Sequence, residues 1–310
     1  MALYSLHHEL PTGYLRNYPV AIYQESRHRR LAALPNWQSF CLIRADIKRV
    51  LAEVHFCIRG THAHARPAAP FGGISFDPEL PLTEIKKFIS GVSESLQELG
   101  CTLITLVHPP APYQRSGDLV LALLHDDGFN RTTTELCAVL QIVPGSFRDG
   151  LHDWELRKLQ QAERKGVTCQ KLSGEQLADV YRFLATCRAE RGTALSMTET
   201  QILELAAACP EAVQLYVAIN EGQWCAAVLG LQDHPEVLYT FYYGHSAATD
   251  ALSPMVFLLD FVYTDCQVRG VRAINLGTST LNGTTNLPLL QFKLQLGAVP
   301  MQKVTLTKTL

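Results

Sequence analysis

The sequence lacks most of the features that mark the commoner function classes. No apolar run approaches the roughly 20 residues that span a bilayer, and the first residues, MALYSLHHELPTGY, lack the basic-then-apolar pattern of a secretory signal. The expectation is a cytoplasmic protein with no membrane span. Neither charge is in excess: 27 Lys and Arg against 29 Asp and Glu leave a net charge of -2, which gives no global pull towards DNA, RNA or anionic lipid. A local basic groove is compatible with that balance. Nine cysteines between Cys41 and Cys266 form no CxxC or other close pair. This argues against zinc and dithiol redox motifs and for buried, reduced thiols. The chain contains no GxSxG elbow, no GxxxxGK[ST] loop and no GxGxxG phrase. What remains is 310 residues, 47% of them apolar, enough to bury two cores or one large one.

Periodicity divides the chain into a repeated order. Ser39 to Ala45 and Val50 to Arg59 are rich in β-branched and aromatic residues around a polar turn and predict a hairpin. Leu82 to Leu99 carries Ile85, Phe88, Ile89, Val92 and Leu96 at helical spacing before Gly100. A buried strand (Thr102 to His108), a helix near Asp118 to His125 and a strand from Glu135 to Val143 follow. Two amphipathic helices come next: the basic Asp153 to Gly166, and Ser173 to Gly192 opened by a Ser173/Gln176 capping box. No strand is assigned between them. Leu215 to Ile219, Trp224 to Leu231 and Val237 to His245 form a meander. Ser253 as N-cap and Pro254 at the first helical position then start a helix that runs to Arg269. The strand Ala273 to Leu276, the helix Leu289 to Leu296 and the strand Val299 to Thr307 complete the chain. Antiparallel strands, long helix, buried strand, shorter helix and last strand thus occur twice. Two α/β (α+β) halves in tandem, residues 1–150 and 151–310, are the expected organisation, each a mixed central sheet flanked by helices.

Local phrases sharpen this order. LRKLQQAERKGV (Leu156 to Val167), RAERG (Arg188 to Gly192), LYVAINEGQWCAAVLGL (Leu215 to Leu231) and LLQFKLQLGA (Leu289 to Ala298) resemble FemAB-type transferases of the GNAT superfamily, as does APFGGISF (Ala69 to Phe76) in the first half. The resemblance implies tandem GNAT-like halves and transfer of an acyl or aminoacyl group to an amine of a sugar, peptide or cell-envelope precursor. It implies a small-molecule acyl donor and an amine acceptor as partners, acyl-CoA or aminoacyl-tRNA as donor, and no tightly bound cofactor. One departure stands out. The place where acyl-CoA enzymes of this superfamily carry a glycine-rich loop reads GHSAATDALSPM (Gly244 to Met255), with a single glycine. A third class, a catalytically degenerate acyltransferase fold that only binds, is also compatible with that departure.

Acyl transfer to an amine needs alignment of the reactants, a deprotonated amine and stabilisation of the developing oxyanion. No activated Ser or Cys is required. Lys293, in the FK phrase and among Leu290, Phe292, Leu294 and Leu296, is the leading candidate for oxyanion or phosphate contact; the alternative is a snorkelling surface lysine. Tyr242, Tyr243 and His245, at the end of the meander's last strand, are candidates to accept a proton or orient the amine. Strand alternation sends Tyr242 to one face and Tyr243 with His245 to the other, so not all three are expected to line a cleft. Arg157 and Arg191 match the family-like phrases and suit anion recognition, against a solvated helix face and a favourable helix C-terminus respectively. Arg157, Lys158, Arg164 and Lys165 would supply the basic groove that a tRNA donor requires. Ser253 stands at a helix N-terminus, and Asn275, Thr278 and Ser279 at the carboxyl end of a buried strand, the usual ligand position in α/β sheets, with capping and loop roles as the alternative. His55, His62 and His64 are the only histidine cluster. With no acidic or cysteine partner seen nearby, no metal site is expected.

Overall fold

The computed structural model describes residues 3–310 apart from 66, 68, 115 and 282 and the side chain of 281. Arg66 and Ala68 of the loop after the first hairpin, and Asn282 of the loop after Leu276, therefore lie outside the described residues. In chain order the elements are β1 (Ser5–His7), β2 (Leu15–Arg16), α1 (Ser26–Leu31), β3 (Trp37–Arg44), β4 (Arg49–Arg59), β5 (His62–His64), β6 (Ser75–Phe76), α2 (Leu82–Glu98), β7 (Leu103–His108), α3 (Gly117–Asp126) and β8 (Asn130–Gln141). They continue with α4 (Asp153–Arg164), β9 (Thr168–Leu172), α5 (Leu177–Ala189), α6 (Glu199–Ala208), β10 (Val213–Asn220), β11 (Gln223–His234), β12 (Val237–His245), α7 (Pro254–Val268), β13 (Ala273–Thr278), β14 (Thr280–Leu281), β15 (Thr284–Thr285), α8 (Leu287–Gln295) and β16 (Val299–Thr309).

Two compact units result, one from the residues up to Glu135 with Gln302–Leu310, the other Leu136–Met301. In the first unit the strand order is β1-β3-β4-β5-β7-β16-β8, mixed because β5 and β7 run parallel while β3 and β4 form the expected antiparallel hairpin. The apolar stripe of α2 (Ile85, Phe88, Ile89, Val92, Leu96) and Val120 and Leu124 of α3 close over Ile104 and Leu106 of β7. The second unit has the order β8-β13-β12-β11-β10-β9. Among its described residues the parallel neighbours are β12 and β13. Helix α7 is apolar on several sides and packs Leu258, Leu259 and Val262, all 0% exposed, into a core with Leu159 of α4, Val228 of β11 and Ile274 of β13. At roughly 1.5–3 kcal/mol for each fully buried Leu, Val or Ile, this core anchors the strands that carry the site.

Several elements depart from the sequence reading. β9 adds an antiparallel edge to β10 between the two helices where no strand was assigned; its TCQKL has no clean alternation, since only Leu172 is buried. Helix α6 was missed, although Thr198 and Gln201 form a capping box at its start. The Ser173/Gln176 box caps a 3-10 turn, Gly174–Gln176, that feeds α5. Helix α8 begins earlier than read, because the Asn286 side chain accepts from Leu289 N–H at 3.1 Å. Pro254 does occupy the first turn of α7, but Ser253 is left-handed (φ 51°) and its side chain caps nothing. His62 and His64 stack on β5 with ring centroids 3.5 Å apart. His55 instead contacts Ser39 Oγ (2.9 Å) and the buried Glu53 (3.4 Å), so an acidic partner does lie beside it. Among the described residues no three His, Cys, Asp or Glu side chains converge on a point where a metal could sit.

Candidate active site

The site in the second unit begins where two strands part. β12 pairs β11 along its length as far as His245 opposite Ala226, but pairs β13 only over Val237–Tyr239 against Ala273–Asn275. The cause lies in β13. Its pairing with β8 is irregular between Asn275 and Thr278, Gly277 takes φ 78°, and the Asn275 side chain accepts from Gly277 N–H at 2.9 Å, fixing the bend. A side chain at 277 would be strained by that φ and would meet the Tyr239 ring, 3.3 Å from an added Cβ. Thr240 Oγ1 donates to Asn275 O at 3.2 Å and pins the apex. Beyond it, the main chain of β12 that faces away from β11 has no strand partner among the described residues.

A cavity of about 700 Å³ fills the opening, floored by Tyr239–His245 of β12 and walled by β13, α4, α5, the start of α7 and α8. This volume falls in the range of small-molecule sites. Of the expected site residues, Lys293, Tyr242, Tyr243, His245, Arg191, Ser253 and Thr278 line it, and Arg157, Asn275 and Ser279 do not. Arg157 lies on the exposed face of α4, its guanidinium 5.4 Å from the Trp154 ring. Asn275 supports the bend from behind, and Ser279 is 1% exposed with its main chain bonded to Leu136 and Asn286.

Lys293 is 1% exposed. Instead of snorkelling, its Nζ donates to Gly277 O at 2.8 Å and Thr278 O at 3.0 Å, the carbonyls at the end of β13. Burial pushes its pKa down to about 8. An ammonium with two of its three N–H groups held by the strand end has a fixed direction and one donor to spare.

Both faces of β12 reach the cavity, contrary to the alternation argument, because the strand presents its free edge. Tyr242 is held on one side, its hydroxyl accepting from Met197 N–H (2.8 Å) and bonded to Ser196 Oγ (2.7 Å). Tyr243 packs on the other, against the core of the unit, and burial pushes its phenol up to about 12, so it stays protonated at neutral pH. His245 Nε2 lies 2.8 Å from Asp250 Oδ1 and 3.0 Å from Arg191 Nη2, and Arg191 reaches Asp250 at 3.1 Å. Burial, then the Arg191 charge, lowers the His245 pKa below its ordinary value, which keeps the ring neutral at pH 7.

Arg188, four residues before Gly192 in the RAERG phrase, lines the cavity together with Lys158 and Glu155 of α4. Arg188 and Glu155 were not among the expected site residues, and Lys158 was expected only as part of a basic groove for tRNA. The signal for Glu155 was its spacing: it shares a helix face with the buried Leu159 and Ala162, where a core residue belongs. At the loop Gly244 to Met255 the amide of Ala247 is already taken by Glu190 Oε2 at 2.8 Å, and Asp250 lies close by. These carboxylates occupy the place where a glycine-rich loop would present free N–H groups to a pyrophosphate. Cys187 also lines the cavity, but burial pushes its thiol up to about 11, away from nucleophilic use.

Residues 154–286 match the family model of the acetyltransferase (GNAT) domain. Over nearly the whole chain the fold is similar to that of the FemX crystal structure, with a TM-score of 0.71 over 93% of this chain and 92% of that one at 12% identity. It is also similar to the C-terminal domain of a protein described as a lysylphosphatidylglycerol synthetase from Agrobacterium fabrum (TM-score 0.56, 13% identity, 84% of this chain and 81% of that one). L-PGS from Bacillus licheniformis is similar to the same degree (TM-score 0.54, 15% identity, 85% and 82%). No curated protein sequence matches the chain. No helix among the described residues is long and apolar enough to cross a membrane.

Proposed function

We propose that this chain, a GNAT-type acyltransferase with the FemAB fold, moves an acyl or aminoacyl group onto an amine of a sugar, peptide or cell-envelope precursor, in the cavity of its second unit. The observation that carries the reading is Lys293, a buried ammonium fixed by two carbonyls at the end of β13 beside the free edge of β12. A donor lying along that edge brings its carbonyl carbon to the strand opening. The acceptor nitrogen attacks, the C=O pair moves to oxygen, and the third N–H of the buried Lys293 ammonium meets the oxyanion. Collapse re-forms the C=O and expels the leaving group. Cys187 and the hydroxyls of Tyr242 and Tyr243 need not form a covalent intermediate.

The anionic part of the donor meets Arg188 and Arg191 at the cavity wall, with the first-turn N–H groups of α7 adding a positive end. Acyl-CoA is the donor class of GNAT domains, while the occupied loop at Ala247 and Asp250 favours a donor held by side chains. An aminoacyl-tRNA donor is the second reading. Trp154 is 55% exposed, with Arg157 and Lys158 each within 6 Å of its ring (5.4 and 5.9 Å), a basic aromatic face suited to a nucleic-acid end. The likeness to a protein described as a lysylphosphatidylglycerol synthetase supports an envelope acceptor. A thermal-shift series with CoA, acetyl-CoA, nucleotide sugars and aminoacyl-tRNA tests the reading. A donor at a hundred times its Kd stabilises the chain by about 2.7 kcal/mol. Stabilisation by none of them, with no transfer to any amine, contradicts it.

A further inference from the structure

Of the groups expected to meet the amine, Tyr242, Tyr243 and His245 are already held by other contacts, and one group in the cavity wall is unspent. Glu155 is 0% exposed and lines the cavity. Its Oε1 accepts from Lys158 Nζ at 2.7 Å, whereas Oε2 has no hydrogen-bond partner among the described residues. A buried carboxylate oxygen left unpaired is costly, and a residue on the core face of α4 would be expected to be apolar. The position also favours negative charge, since Glu155 stands in the first turn of α4, at the positive end of the helix. A fixed carboxylate with one oxygen tethered and the other buried and unpaired, in a residue that lines the cavity, is complementary to an ammonium.

We propose that Glu155 anchors the incoming amine as its ammonium and takes the proton that must leave before attack. The proposal rests on the reading of this cavity as a transfer site. The ammonium donates an N–H to Oε2 and that proton passes to the carboxylate, freeing the nitrogen lone pair. The lone pair forms the C–N bond to the donor's carbonyl carbon. The C–X bond of the donor then breaks, its electron pair leaving with X, and the surplus proton on nitrogen passes to X or to water. Lys158 is a positioning residue: it fixes one oxygen so that the other meets the amine.

Two arms test this on the full chain. In the first, n-butylammonium and 1-butanol are titrated and followed by NMR, with no turnover required. The wild type prefers the ammonium by about tenfold or more in Kd. Glu155→Gln, equal in shape but uncharged, loses that preference. Glu155→Asp keeps it, and serves alone if the Gln variant does not fold. Equal affinity of the wild type for both probes, retention of the preference in Glu155→Gln, or its loss in Glu155→Asp overturns the proposal. In the second arm acetyl-CoA or an aminoacyl-tRNA is the donor. Glu155→Gln slows transfer to n-butylamine roughly 100-fold more than transfer to hydroxylamine, which is unprotonated at neutral pH. Equal losses with both acceptors overturn the proton-acceptor role. A wild-type chain that holds butylammonium through Glu155 but transfers from neither donor supports the ammonium site and counts against the transferase reading.

Discussion

Lys293→Met keeps an unbranched stem and removes the charge. The Lys293 pKa falls from 10.5 to about 8 on folding, and at 1.36 kcal/mol per unit the charged form costs about 3 kcal/mol of stability at neutral pH. Methionine relieves that cost but strips the donor from Gly277 O and Thr278 O, each loss worth about 1–3 kcal/mol. The opposing effects leave a net change between about 1 kcal/mol of stabilisation and about 3 kcal/mol of destabilisation. The melting temperature then falls by no more than about 12 °C. Turnover behaves differently, because a donor aimed at the oxyanion is worth about 100-fold or more. The assay is a melting curve beside a progress curve of CoA or tRNA release under saturating donor. A folded Met variant with wild-type turnover would refute the role of Lys293, and so would a loss of rate no larger than its loss of folded fraction.

The same lysine sets a pH dependence. Transfer that needs the Lys293 ammonium is full below about 8 and declines as pH rises through that value, and Lys293→Met lacks the decline. Stability runs the other way. The folded pKa lies below the unfolded one, so the unfolded chain binds more protons between about 8 and 10.5, and the wild type gains stability over that window while the Met variant does not. Gly277→Ala places a Cβ 3.3 Å from the Tyr239 ring at φ 78°. It should cost about 1–2 kcal/mol in denaturant melts and lower turnover by shifting the Gly277 carbonyl that holds Lys293. Arg188→Gln removes a guanidinium from the cavity wall and should raise the donor KM about tenfold with little change in kcat, read from initial rates over a donor series.

The tandem order of elements was legible because the hydrophobic periods are strong. Ile85 to Leu96 on α2 and the apolar runs of β10 to β12 leave little choice of structure. β9 was not legible, since a short edge strand buries too few residues to show a period. The site was half legible. The FK phrase led to Lys293, but periodicity suggested a surface lysine; only the meeting of α8 with the bent end of β13 turns its ammonium inward. Tyr242 and Tyr243 were separated correctly by face, yet both line the cavity because β12 loses its partner after Tyr239, a property of β13 that no reading of β12 contains. Arg157 and Arg188 differ by which helix face they occupy, and charge alone does not distinguish them.

The central claim, that the second unit holds the ligand at the parted ends of β12 and β13, is tested most directly by hydrogen–deuterium exchange. The full chain is compared with and without the donor that gives the largest thermal shift. Slowed exchange is expected at Thr240–His245, where the described residues of β13 pair no main-chain amide, and at the start of α7, with little change before Glu135. Protection confined to residues before Glu135, with none along β12, would contradict it.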